Sequence, residues 1–126
     1  MIVDDDPRIL ELAEHAARET RRFTEIRVAH DGLDAIAQLN GELPEIILTD
    51  LSMPGLDGFE LLAVLKHRAE TKDIPVVMFS SSGLPYDRER AVNGGCAAFF
   101  QKPSTLAGLR EIMEAIAEIE SVSSSR

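Results

Sequence analysis

The chain alternates short apolar runs with longer stretches of helical periodicity, and this alternation occurs five times. The apolar runs predict five strands, at residues 1–3, 25–30, 45–50, 74–80 and 96–102. The stretches between and after them predict five helices, at residues 7–20, 32–40, 58–70, 87–95 and 104–120. Near-continuous apolar strands that alternate with helices are typical of a parallel sheet covered on both faces. The pattern therefore predicts a doubly wound α/β fold.

The length and composition fit one domain that contains a real hydrophobic core. The 126 residues are 44% hydrophobic and 28% charged, and the single cysteine, Cys96, cannot form an internal disulfide. We expect the domain to occupy residues 1–120 and the serine-rich residues 121–126 to form a flexible tail. No secretion signal is recognisable, so a reducing cytoplasm is the expected location.

Charge and hydropathy exclude two classes of partner for this domain. The net charge is −9 and the sequence pI is about 4.7, whereas binding to nucleic acid phosphates needs a basic surface. No apolar run approaches the roughly 18 residues that a membrane span requires. We therefore expect neither direct nucleic-acid binding nor membrane insertion.

Polar groups follow four of the five predicted strands. Strand 1 is followed by Asp4 and Asp5, strand 3 ends in Asp50, strand 4 ends in Ser80 and strand 5 ends in Lys102. Right-handed crossovers place the carboxyl ends of parallel strands at one edge of the sheet, where ligands bind in such folds. We therefore expect these five side chains to form one site.

The chemistry of this group favours phosphoryl transfer. Clustered carboxylates repel one another, so that either one of them holds a proton or a cation enters. Hard oxygen ligands on loops favour Mg²⁺, and a metal, a lysine and a hydroxyl together can stabilise a transferring phosphoryl group. In this interpretation Asp50 is the nucleophile and the product is an aspartyl phosphate.

The residues at these positions resemble the receiver domain of two-component response regulators, over essentially the whole chain. The family's motifs stand in order and at the expected strand ends: Asp4 and Asp5, Asp50, then Met53, Pro54, Asp57 and Gly58, then Ser80, Phe99, and Lys102 with Pro103. Each motif alone is weak evidence for the family, whereas the whole set in this order is strong evidence. The resemblance implies a five-stranded (βα)5 flavodoxin-like sheet in the order 2-1-3-4-5.

The resemblance also implies the role of each residue around the phosphoacceptor. Asp50 would take a phosphoryl group from a histidine kinase or a histidine phosphotransfer protein in a Mg²⁺-dependent reaction. Asp5, Asp50 and the backbone carbonyl of Ser52 would bind the metal directly, and Asp4 would act through water. Lys102 and Ser80 would stabilise the phosphoryl group.

A conformational switch is implied as well, in which Ser80 swings toward the phosphoryl group and Phe99 moves inward behind it. The surface that changes would be helix 4, strand 5 and helix 5, which would contact an unidentified downstream effector and could support a homodimer. Pro54, Asp57, Gly58 and Pro103 would have structural roles in turns, with Asp57 as a helix N-cap; the family also allows a cis bond before Pro103. Such a domain catalyses only its own phosphorylation and dephosphorylation, so it is a signalling switch and not a turnover enzyme.

Two other functions remain alternatives: a phosphatase on an α/β sheet and a pseudo-receiver that never takes phosphate. A phosphatase with an aspartyl nucleophile needs a second acid two residues later, where this chain has Ser52. A pseudo-receiver that only binds partners usually lacks an acid or the lysine, and both are present here. A dinucleotide-binding fold is disfavoured because "DDDPR" stands where the glycine-rich turn would be.

Overall fold

The structure is a computed structural model, and it describes residues 1–124. Its strands are β1 (Ile2–Val3), β2 (Val28–Ala29), β3 (Ile47–Asp50), β4 (Val76–Ser80) and β5 (Ala98–Gln101). Its helices are α1 (Pro7–Thr20), α2 (Gly32–Gln38), α3 (Gly58–Lys66), α4 (Pro85–Asn93) and α5 (Leu106–Ser124). Each of the ten predicted elements is present, in the predicted order.

The strands form one parallel sheet in the order β2-β1-β3-β4-β5. This is the doubly wound, flavodoxin-like arrangement that the resemblance implied, and the prediction is confirmed. Because β2 lies outside β1, the strands that carry the predicted site residues are neighbours in the sheet. Pairing of Asp50 with Phe79 and of Ser80 with Gln101 sets the register at the carboxyl edge.

Alternate residues of each strand point to opposite faces of the sheet, where two separate apolar clusters form. In β4, Val76 and Met78 join the cluster beneath α2, α3 and α4, whereas Val77 and Phe79 join the cluster beneath α1 and α5. All four side chains are almost fully buried. The sheet is therefore covered by helices on both faces, as the apolar strands predicted.

The last helix packs on the sheet through the residues that its periodicity predicts. Leu109, Ile112, Met113 and Ile116 are buried in the cluster with α1. The Thr105 hydroxyl accepts a hydrogen bond from the backbone N–H of Gly108 at 3.0 Å and caps the helix.

Most element bounds shift by a few residues from the predictions, and three of the shifts have a clear physical reason. β2 covers two of its six expected residues because β1 offers only Ile2 and Val3 as pairing partners. α4 begins at Pro85 rather than residue 87, since proline suits the first turn of a helix. α5 continues through Ser124, so most of the expected tail over 121–126 is helical; adding residues to an existing helix is easier than starting one. Residues 125–126 lie outside the described residues.

Two further findings concern the backbone and the helices. The peptide bonds within residues 1–124 are all trans, so the bond before Pro103 is not the cis bond that the family allows. None of the helices in the described part of the chain has the length and apolarity needed to cross a bilayer.

Candidate functional site

The polar strand ends meet at the carboxyl edge of the sheet, as the topology requires. Asp4 follows β1, Asp50 and Ser80 are the last residues of β3 and β4, and Lys102 follows β5. The Lys102 Nζ lies 3.0 Å from Asp4 Oδ2 and 3.2 Å from Asp50 Oδ1. One ammonium thus bridges carboxylates from two neighbouring strand ends.

Burial differs sharply among the three charged groups. Asp4 is 0% exposed and Asp50 is 5% exposed, whereas the Lys102 side chain is 18% exposed. Asp4 Oδ1 accepts a hydrogen bond from the Asp6 N–H at 2.9 Å. Within residues 1–124 the Lys102 ammonium, 3.0 Å away, is the group that compensates the charge on Asp4 Oδ2. Without the Lys102 ammonium beside it, the buried Asp4 carboxylate would be strongly unfavourable.

The environment shifts the pKa of the two central groups. Burial, and secondarily repulsion by Asp4, raise the pKa of Asp50 above its ordinary value; Lys102 and the Ser52 N–H oppose this shift. Burial alone would lower the pKa of Lys102, but its contacts with Asp4 and Asp50 outweigh burial and raise it. Lys102 therefore stays an ammonium and favours the ionised form of Asp50.

Three carboxylates form a cluster that could hold a cation. One oxygen each of Asp4, Asp5 and Asp50 lies within 4.8 Å of the others, and Asp5 is exposed. The Ser52 N–H lies 3.5 Å from Asp50 Oδ1. Hard oxygen donors that face solvent on one side are the environment that Mg²⁺ prefers. The predicted ligand roles, that of the Ser52 carbonyl included, stay predictions.

The two predicted switch residues adopt defined positions. The Ser80 Oγ accepts a hydrogen bond from the Ser82 N–H at 3.1 Å and lies 3.3 Å from the Ser82 Oγ. Phe99 is 5% exposed and packs in the cluster beneath α3 and α4. It is therefore already inward in this structure, and its expected movement on phosphorylation stays a prediction.

The segment between Asp50 and α3 is held by a capping box at the start of α3 and by close backbone packing at Gly58. The Asp57 carboxylate accepts a hydrogen bond from the Glu60 N–H at 2.8 Å, and Glu60 accepts one from the Asp57 N–H at 3.0 Å, which is a capping box. A Cβ on Gly58 would lie 2.4 Å from the Asp50 carbonyl oxygen. Asp57 thus caps α3, as predicted, and Gly58 lets α3 begin against the backbone at the end of β3. Pro54 lies in the same turn, just before Gly55, whose φ is +76°.

The remaining predicted turn residue, Pro103, lies directly after the lysine. A Cβ on Gly108, in the first turn of α5, would approach the Pro103 Cβ to 2.7 Å. Pro103 therefore sits tightly against α5 and fixes where the chain leaves the site.

Sequence reasoning missed two residues beside the site, Phe79 and Asp87. The Phe79 ring lies beneath Lys102, with the Nζ 4.9 Å from the ring centroid. Ser82 bonds to Ser80 and donates a hydrogen bond to the Asp87 carboxylate at 3.1 Å. The serine run after β4 was a signal for Ser82, whereas nothing in the sequence distinguishes Asp87 from other helical acids.

Comparison with known proteins identifies the class. The family model for the response regulator receiver domain matches residues 1–114. The chain belongs to this family, the receiver domains of two-component signalling, whose members act as switches, as the site led us to expect.

Similar proteins include response regulators of different sizes. The chain is 37% identical over 103 residues to the response regulator PleD of Caulobacter vibrioides, which covers 82% of this chain and 22% of PleD. It is 32% identical over 103 residues to the protein PilG of Pseudomonas aeruginosa, which covers 82% of this chain and 75% of PilG. The match covers 44% of the response regulator Rre1 of Synechocystis. The chain thus spans less than half of PleD and Rre1.

Solved structures agree with the fold. The phosphorylated cyanobacterial phytochrome response regulator RcpA superposes with a TM-score of 0.83 and 30% identity, covering 94% of this chain and 89% of that one. The Mn²⁺-bound response regulator Rcp1 superposes with a TM-score of 0.79 and 27% identity, covering 91% of this chain and 89% of that one.

Proposed function

We propose that this domain is a phosphoacceptor and that Asp50 takes the phosphoryl group. The observation that carries this proposal is the Lys102 ammonium held between Asp50 and the buried Asp4, at 3.2 and 3.0 Å. A structural ion pair would need one acid, whereas here a second, largely buried carboxylate lies beside the same cation and next to the exposed Asp5. That arrangement suits a nucleophile whose product carries more negative charge than the free carboxylate.

The reaction would be a displacement at phosphorus. An Asp50 carboxylate oxygen attacks the phosphorus of a phosphohistidine, the O–P bond forms, and the P–N bond breaks with its electron pair leaving on the imidazole nitrogen. Lys102 favours the ionised Asp50 carboxylate that attacks, and it lies close enough to pair with a phosphoryl oxygen afterwards.

The donor set of the acidic cluster fits a divalent cation. Asp5 and Asp50, with the Ser52 carbonyl, would hold Mg²⁺, and Asp4 would contribute through water. Bound there, the ion would supply charge neutralisation for the phosphoryl oxygens. The buried Asp4 is already paired with Lys102, which supports its assignment to an indirect role.

The output would pass through the α4, β5 and α5 surface to a downstream effector. Leu84, Tyr86 and Val92 expose apolar area on or beside α4, which supports a binding role for this face and allows a homodimer through it. Response regulators work with histidine kinases and effectors, so a cytoplasmic histidine kinase or phosphotransfer protein is the proposed donor. The domain would be a switch without turnover of other substrates, and without direct contact to nucleic acid or membrane.

The test is intact mass after incubation with a small-molecule phosphodonor, with and without Mg²⁺. We expect the gain of one phosphoryl group in the wild type with Mg²⁺, and no gain in Asp50→Asn. Asp57→Asn is the matched control, because asparagine also caps helices and Asp57 lies outside the acidic cluster. No gain in the wild type, together with no Mg²⁺ binding, would refute the proposal and favour the pseudo-receiver; turnover of an unrelated phosphoester would favour the phosphatase.

A further inference from the structure

The hydroxyl at the end of β4 belongs to a chain of polar contacts that leads away from Asp50. The Ser80 Oγ contacts Ser82 twice, through the Ser82 N–H at 3.1 Å and the Ser82 Oγ at 3.3 Å. The Ser82 Oγ in turn donates a hydrogen bond to Asp87 Oδ2 at 3.1 Å. Asp87 lies in the first turn of α4. A serine that should respond to a phosphoryl group is thus tied to a helix on its far side.

Counting protons gives this chain of contacts a direction. A serine hydroxyl has one proton to donate, and an ionised carboxylate can only accept. Because the Ser82 proton is donated to Asp87, Ser82 has no proton left for Ser80. The contact between the two hydroxyls is then a hydrogen bond in which Ser80 donates its only proton to Ser82. That proton must leave Ser82 before Ser80 can donate to a phosphoryl oxygen.

The first turn of α4 has few other attachments that would hold it. The N-cap residue, Leu84, makes no side-chain capping bond, and Ala91 is the only residue of α4 that is buried. Arg88, next to Asp87, places its guanidinium 5.3 Å from the centre of the Phe99 ring. Two adjacent residues of one helical turn therefore contact the two predicted switch positions, one through Ser82 and one directly.

We propose that Asp87 is a positioning residue that, through Ser82, holds the Ser80 hydroxyl turned toward α4, so that phosphorylation of Asp50 must break this link and release the first turn of α4. The proposal deepens the phosphoacceptor function and rests on it. In this proposal, Asp87 and Ser82 both weaken the binding of a phosphoryl group, although neither of them contacts Asp50. Loss of either residue frees the Ser80 proton and makes the phosphorylated state easier to reach.

The experiment measures the affinity of the purified chain for beryllofluoride, a phosphoryl mimic, in the presence of Mg²⁺. We expect Asp87→Ala and Ser82→Ala each to tighten binding roughly threefold to tenfold, the effect of losing about one partly buried hydrogen bond from the unbound state. Glu89→Ala is the matched control, since it removes the same charge from the same helix at an exposed position. It should leave the affinity unchanged.

The double variant separates the proposed link from an effect on helix stability. Removing an acid from the first turn of α4 weakens its interaction with the helix dipole in any background. An effect through Ser82 must disappear when Asp87→Ala is made in Ser82→Ala. An undiminished effect there, or equal affinities of Asp87→Ala and the wild type, would overturn the proposal.

Two further arms keep the outcome decisive. Asp87→Asn retains an oxygen that accepts from Ser82 and should stay close to wild type, so it tests the link if the alanine variant folds poorly. A wild type that binds no beryllofluoride and accepts no phosphoryl group refutes the proposed function, and the inference with it. A wild type that does both while all variants match it refutes the inference alone.

Discussion

The two helices that follow β4 and β5 cover opposite faces of the sheet and differ in almost every way. α5 has 19 residues and buries an apolar stripe against α1 and the sheet, whereas α4 has nine residues and buries only Ala91. Apolar burial is the main source of folding free energy, so the α1–α5 layer stabilises the domain and α4 contributes little. The fold thus leaves its least anchored helix beside the site.

The polar contacts of the two helices also differ: those of α5 reach a neighbouring helix, and those of α4 reach the site. α5 is joined to α1 and to the turn after it by surface ion pairs: Arg110 contacts Glu19 of α1, and Arg22, just beyond α1, contacts Glu114 at 3.0 Å and Glu118 at 2.9 Å. The first turn of α4 instead contacts the site, through Asp87 and Arg88. Charge on α5 links one helix to another, whereas charge on α4 links a helix to the two predicted switch residues, Ser80 and Phe99.

The largest expected effect is in the α1–α5 layer. Met113 is almost fully buried, so Met113→Ala should lower the free energy of unfolding by about 3 kcal/mol, through lost apolar burial and the cavity left behind. Val92→Ala, at an exposed position of α4, should change it by less than about 0.5 kcal/mol. Chemical denaturation measures both. A cost for Val92→Ala that equals the cost for Met113→Ala would show that α4 is an anchor.

The buried Asp50 carboxylate should lower the free energy of unfolding at neutral pH, and the size of this effect should depend on pH. Burial raises the pKa of Asp50 above its unfolded value, so the folded protein holds this proton more tightly and Asp50 becomes destabilising as the pH rises through the raised pKa. Asp50→Asn should therefore raise the free energy of unfolding by about 1 kcal/mol at neutral pH, and the gain should vanish below roughly pH 4.

Thermal melts of both proteins across this pH range measure the difference. Asp57→Asn again serves as the control, since it alters a carboxylate outside the cluster. A gain that is the same at every pH would argue that it arises from packing rather than from the titration of Asp50.

A capping residue should increase the local stability of α4, which lacks the side-chain cap that Thr105 gives α5. Leu84 is exposed and caps nothing, so Leu84→Ser should stabilise the start of α4 by about 0.5 to 1 kcal/mol. Amide hydrogen exchange is the measurement, because it reports local opening of each helix separately. We expect slower exchange in α4 and unchanged exchange in α5. Unchanged exchange in α4 would show that its first turn is already held firmly.

The smallest effect is expected from the ion pairs of the α1–α5 layer. Arg110→Ala removes a partly exposed pair with Glu19 and should lower the free energy of unfolding by less than about 0.5 kcal/mol. The loss should disappear in about 1 M salt, where such charges are screened. Denaturation at low and high salt tests this. A large, salt-independent loss would mean that the Arg110 stem is important for packing.

The sequence predicted best what depends on pattern along the chain. Apolar runs located all five strands, and the positions of the strand ends predicted that Asp4, Asp50 and Lys102 meet at one edge. The bounds of α1 matched fully, since Pro7 marks its first turn and Asp6 caps it by accepting from the Arg8 N–H. The strand order came from the family resemblance, not from periodicity.

What depends on contacts between distant elements was not predictable. The length of β2 depends on how much of β1 is available for pairing, which the β2 sequence does not contain. The pairing of Lys102 with the buried Asp4 is a consequence of three-dimensional packing. The link from Ser82 to Asp87 depends on where α4 begins, and that start differed from the prediction by two residues.

The tight approach at Gly58 has a consequence for how such a domain could lose its function during evolution. A methyl group at this position would meet the carbonyl oxygen of Asp50 at 2.4 Å, and backbone cannot yield as a flexible side chain can. A single substitution there would displace Asp50, the proposed phosphoacceptor, while every acid and the lysine remained in the sequence. An inactive homologue of a receiver could therefore keep all of its acids and its lysine. In such a sequence, the residue at the position of Gly58 would indicate whether the geometry of the site is still intact.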